Sequence, residues 1–121
     1  MRVGKFAPRP LSERPAEVFA SAEEAWLWFC RCQMARIEGV RFVADAGDRG
    51  RPCDPDDIFR AVDGLRRKGV LGARHIQVLG GFGCRLTPPD PWAGDSSVEA
   101  ELWSQGLERL AEVLRRKGIV A

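Results

Sequence analysis

Seven polar side chains between Arg66 and Arg85 carry the chemistry most worth following in this 121-residue chain. Arg66, Arg67, Lys68, Arg74 and Arg85 are cations, and no acid interrupts residues 64–89, whose net charge is +5. The flanks are acidic. Residues 43–63 hold six Asp against three Arg, a net of −3, and residues 90–121 hold six acids against four bases, a net of −2. A local positive potential of this kind attracts phosphates, although the whole chain is only +2. His75 and Gln77 lie in the same run. With Arg74 they are residue types that reach base edges, while Arg66, Arg67, Lys68 and Arg85 suit phosphate contacts. The competing reading is a solvated face, in which Arg66, Arg67 and Lys68 complement the negative end of a helix.

Other candidate chemistry has a plainer explanation. Cys30, Cys32, Cys53 and Cys84 offer only one close pair, Cys30-x-Cys32, whereas structural zinc sites pair ligands two to four residues apart. Residues two apart on a helix point about 200° apart and do not converge on one ion. No metal or other cofactor is expected, and the four cysteines read as free thiols. A Cys–His nucleophile would have to use His75, the single histidine, which is more often a capping or packing residue. Asp54, Asp56 and Asp57 lack the Gly and distal Glu of a calcium loop and suit a helix start instead. Gly80-Gly81-Phe82-Gly83 matches neither phosphate-binding glycine fingerprint and reads as a turn with a buried Phe82. The chain is not expected to be an enzyme.

The elements that must position these residues follow from caps and periodicity. Ser21 with Glu24 makes a capping box, and Phe19 or Ala20 can staple the helix that follows. Ala22, Ala25, Trp26, Phe29, Gln33 and Ile37 recur at helical spacing up to Gly39. Asp54-Pro55-Asp56-Asp57 starts a second helix, with Ile58, Phe59, Val62 and Leu65 as its apolar face and Gly69 as its stop. A short third helix is expected from about Gly72 to Leu79, with a strand as the alternative because His75-Ile76-Gln77-Val78 alternates. Thr87 to Gly94 is a proline-rich linker. A last helix starts at Ser96 or Ser97, carries Val98, Trp103, Leu107, Leu110 and Leu114, and ends at Gly118. Leu65-Arg66-Arg67-Lys68-Gly69-Val70-Leu71 is echoed by Leu114-Arg115-Arg116-Lys117-Gly118-Ile119-Val120. Seven residues make no repeat architecture, but both copies fit one helix ending: basic last turn, left-handed Gly, apolar residue after it.

The length fits one domain, and 45% hydrophobic with 30% charged residues is ordinary globular composition. Residues 1–15, with Pro8, Pro10 and Pro15, read as an extended basic arm. The longest apolar run, Ala25 to Cys30, is too short for a membrane span, and no signal-peptide pattern is visible, so a cytoplasmic location is expected. Of four Trp, Trp26 and Trp103 lie on apolar stripes. Trp28 lies off the first helix's main stripe and Trp92 falls in the linker, so either suits a contact anchor, with a homodimer through the first or last helix.

Two resemblances follow from these motifs. Arg51-Pro-Cys-Asp-Pro-Asp-Asp-Ile58, Val62-Asp63-Gly-Leu65-Arg-Arg67, Ala73-Arg-His75, Val78-Leu79, Phe82-Gly83 and Pro89-Asp90 resemble a group of small uncharacterised alphaproteobacterial helical proteins over about residues 21–120. Across about 54–90, the basic helix end, the His-containing helix ending in Val-Leu and the aromatic-Gly pair are similar to phage late-gene antitermination (Q-like) and related helix-turn-helix proteins. Gly64, Gly72 and Gly80-Gly81 depart from that pattern, because Gly weakens helices. The second resemblance implies binding to DNA or to the transcription machinery.

The sequence therefore predicts an all-α domain over 16–121, about four helices in a small bundle with a helix-turn-helix-like pair. The expected function is nucleic-acid binding through residues 54–85, using Arg66, Arg67, Lys68, Arg74, His75, Gln77 and Arg85. The alternative is a protein-interaction or structural module, homodimeric, with Trp28 or Trp92 at the contact.

Overall fold

The computed structural model describes residues 17–39 and 51–121. The expected arm at 1–15 and most of the expected loop at 40–53 lie outside the described residues. Four α-helices are described: α1 (Ala22–Ile37), α2 (Pro55–Arg67), α3 (Ala73–Cys84) and α4 (Ser97–Arg116), with a 3-10 turn at Pro91–Ala93 between the last two. The architecture is a small all-α bundle. No helix among the described residues is long and apolar enough to cross a membrane.

Local chemistry sets most boundaries. At α1, Ser21 Oγ accepts from the Glu24 N–H (3.2 Å), and the Glu24 carboxylate accepts from the Ala20 N–H (2.7 Å). At α2, Pro55 opens the helix and the Asp57 carboxylate accepts from the Asp54 N–H (2.9 Å). The echoed heptapeptides end their helices alike. Gly69 and Gly118 take φ of +77° and +76°, and the residue after each donates to the buried leucine: Val70 N–H to Leu65 O and Ile119 N–H to Leu114 O, both 2.9 Å. Six-to-one bonds of this kind satisfy carbonyls the last turn would leave open.

α3 corrects the sequence expectation. The helix preferred over the strand alternative is present, but it continues five residues past Leu79, through Gly80, Gly81 and Gly83, where a turn was expected. Tertiary contact overrides low glycine propensity here. Phe82 is buried, and the Trp26 indole N–H donates to Leu79 O (3.0 Å), tying α3 to α1. Gly83 is required by close approach: a Cβ there would stand 2.5 Å from Cys30 Sγ and 3.1 Å from Trp26 Nε1.

α2 and α3 each pack on α1 and α4 and touch each other little, although only residues 68–72 connect them. One apolar cluster runs through all four helices, with Phe19, Ile58, Leu71, Leu79, Leu110 and Leu114 fully enclosed. The chain before α1 and the chain after α4 meet: Phe19 N–H donates to Ile119 O (3.0 Å) and Ala121 N–H to Phe19 O (2.9 Å). Phe19 also packs against Trp28, with ring centroids 5.2 Å apart. Two further expectations are corrected. Trp28 is buried, because α1 is covered by helices on more than one side. Phe59, placed on the apolar face of α2, is exposed, because α2 turns Ile58, Ala61, Val62 and Leu65 inward instead.

Candidate functional site

The basic segment spans the end of α2, the connection and all of α3, and its members differ in what already holds them. Asp63, one turn before the end of α2, accepts from Arg66 (Nη2 2.7 Å, Nε 3.2 Å) and pairs with Arg67 Nη2 at 2.9 Å. The hydrogen bond from Arg66, reinforced by the charges of Arg67 and Arg66, holds the Asp63 carboxyl below its usual value. Two of the five cations are thus partly neutralised by an acid just upstream of the acid-free stretch. Lys68 is exposed at the helix cap.

His75 is engaged structurally. Its Nδ1 accepts from the Gly72 N–H (3.1 Å), which places the ring proton on Nε2, and Nε2 then donates to Gln105 Oε1 on α4 (3.0 Å). Arg109, also on α4, donates to Val70 O (3.0 Å). This histidine caps α3 and ties its first turn to α4, which is how a helix starts well at a glycine with no side chain to offer. Arg85 lies over the Phe82 ring (4.8 Å to the centroid) and stands 4.0 Å from Asp95. Arg74 and Gln77 are exposed on α3, with no hydrogen-bond or ion-pair partner among the described residues. The seven residues therefore do not form one free surface. Arg66, Arg67, Lys68, Arg74, Gln77 and Arg85 face solvent, Arg85 at the far end of α3 from the others, while His75 holds α3 to α4.

The thiols divide in the same way. Burial pushes the Cys30 thiol up to about 12, with Cys84 adding to the rise, and burial followed by the Asp57 and Asp54 carboxylates lifts Cys53 to about 11. Thiols held neutral like this are poor nucleophiles. Cys84 is exposed. Among the described residues no three His, Cys, Asp or Glu side chains converge as a metal site requires.

The most unusual surface lies at the opposite end of α3. The segment read as a proline-rich linker is a built loop. The Asp90 side chain accepts from the Trp92 N–H (3.0 Å), Asp95 Oδ2 accepts from the Asp90 N–H (2.8 Å), and Asp90 O accepts from both Ala93 N–H (2.9 Å) and Asp95 N–H (3.2 Å). Gly94 closes the turn at φ +104°. On this frame Trp92 is 96% exposed. Leu86, a non-glycine residue at φ +56°, and Val98, at the start of α4, are also exposed on either side of the loop. Sequence reading named Trp92 but missed the device that presents it; Asp90 and Asp95 flanking Pro91-Trp92-Ala93-Gly94 were the available signal. It also missed the shallow groove of about 630 Å³ on the outer face of α2, lined by Asp56, Phe59, Arg60, Asp63, Gly64 and Arg67.

Comparison with known proteins finds no family model, no curated protein and no solved structure that matches the chain.

Proposed function

We propose that this protein is a binding module that docks onto another protein through the loop end carrying Trp92. The observation that carries the reading is the combination of a nearly fully exposed indole and a loop that fixes its backbone with side-chain and main-chain hydrogen bonds. An exposed tryptophan holds a large apolar area in water, and interface hot spots are enriched in this residue. Preordering the loop lowers the entropy lost on docking. Asp90 and Asp95 in the loop and Glu99 and Glu101 in the first turns of α4 outnumber the neighbouring Arg85, which disfavours a nucleic-acid partner there. The test replaces Trp92 with a photo-crosslinking amino acid in the full chain inside the cells that make it, with exposed Glu112 as the control position. A discrete protein adduct from position 92, absent from position 112, is expected. Equal adducts from both positions, or none from 92, overturn the reading.

A second reading, binding to DNA or to the transcription machinery, is favoured by the exposed Arg74 and Gln77 beside the basic end of α2. Its residues are Arg66, Arg67, Lys68, Arg74 and Gln77, with Arg85 exposed at the other end of α3. Fluorescence anisotropy with duplex DNA and single-stranded RNA at about 50 and 200 mM salt separates the two, because phosphate contacts give a steep salt dependence. Salt-steep binding lost in the Arg66→Ala, Arg67→Ala, Arg74→Ala triple variant supports it. No binding at low salt removes it.

A further inference from the structure

We infer that the Trp92 end takes an arginine-bearing segment of another protein, whose guanidinium stacks on the indole and pairs with Asp90. The inference rests on the docking reading above and names the chemistry of the partner. Residues 85–101 hold four acids and one base, a net of −3. Arg85, the one base, lies over the Phe82 ring and stands 4.0 Å from Asp95. Asp90 takes no part in that pairing. Its Oδ1 accepts from the Trp92 N–H (3.0 Å), and its Oδ2 has no hydrogen bond or ion pair among the described residues. The bond that builds the loop therefore also holds a negative charge next to the residue whose indole is 96% exposed.

That combination selects a cation. The face of an indole attracts positive charge through its ring quadrupole, and a fixed carboxylate nearby adds to the attraction. Arginine suits the pair better than lysine. Its guanidinium is planar and stacks, it offers several donors to the open Asp90 oxygen, and it is more weakly hydrated than an ammonium. Leu86 and Val98, exposed on either side of the loop, supply apolar surface for the neighbours of that arginine. An acidic segment would be repelled at the same place, and a wholly apolar one would cover Asp90 without pairing it.

The test titrates the purified full chain into a labelled peptide of glycine, leucine and arginine, with matched peptides in which citrulline or glutamate replaces arginine. Fluorescence anisotropy at about 50 and 200 mM salt reads the affinities. The arginine peptide is expected to bind roughly tenfold or more tightly than either control, and to weaken several-fold at the higher salt. Trp92→Ala should weaken it about tenfold. Asp90→Asn removes the charge but keeps an oxygen for the Trp92 N–H, so the loop stands. It should weaken the arginine peptide several-fold and leave the citrulline peptide unchanged. Equal binding of the arginine and citrulline peptides, no binding of either, or an Asp90→Asn chain that binds like the original overturns the inference. The position-92 crosslink separates this outcome from the docking reading. Mapped onto the partner, the adduct should lie beside an arginine. An adduct on a segment without arginine removes the inference and leaves the docking reading standing; no adduct removes both.

Discussion

Trp26 and Trp28 stand two residues apart on α1, are equally well buried, and differ in one hydrogen bond. The Trp26 N–H reaches Leu79 O, while the Trp28 N–H is enclosed with no acceptor among the described residues. A buried donor without a partner already bears its desolvation cost, so removing it forfeits nothing at that atom. Trp26→Phe should therefore destabilise more than Trp28→Phe by about 1–2 kcal/mol, beyond the loss of volume common to both, as read from urea unfolding. Asp63 gives a second prediction at this scale. Its pKa is lowered in the folded chain, so its contribution is present above the unfolded carboxyl value and is lost as pH falls through the folded one. Asp63→Asn should flatten the acid limb of melting temperature against pH. The same change releases Arg66 and Arg67 and should raise low-salt affinity for nucleic acid if the second functional reading holds. Among the thiols, a colourimetric reagent should find one fast group, Cys84, and three slow ones, because Cys30 and Cys32 are buried and Cys53 is half-buried.

Helix ends were legible because they are decided within a few residues. Ser21 and Glu24, Asp54 and Asp57, and the glycines at 39, 69 and 118 act on their own turn, and all three glycines take positive φ as their positions demand. The length of α3 was not legible, because the contact that settles it is with α1, far away in sequence. Nor was the exposure of Phe59, since apolar spacing names a stripe and only the neighbours decide how wide it is. Gly83 and Gly64 separate a helical glycine that close packing requires from one that it does not. Gly83→Ala pushes a methyl into Cys30 and Trp26 and should cost about 1–3 kcal/mol. Gly64→Ala meets nothing among the described residues and should stabilise by up to about 1 kcal/mol. Chemical denaturation of the pair checks both signs at once. His75 belongs at this scale as well: sequence placed it in a site, and the fold uses it as a cap. His75→Ala should cost about 0.5–2 kcal/mol.

At the scale of the whole molecule, the bundle separates two surfaces. One side carries the end of α2 and the first turn of α3, rich in arginine. The other carries the loop between α3 and α4, acidic around one exposed indole. The composition of these segments was visible in the sequence; that one would be a rigid platform and the other half spent on internal ion pairs and caps was not, because both facts depend on partners across the fold. On the docking reading, Trp92 is covered by a protein when the chain is at work. Oxidative footprinting tests this most directly, by comparing the rate at which Trp92 is oxidised in the dilute purified chain and in the cells that make it. Fast oxidation in dilution and several-fold slower oxidation in cells, with an exposed reference such as Cys84 unchanged, is the expected result. Oxidation of Trp92 equally fast in both settings would contradict the claim.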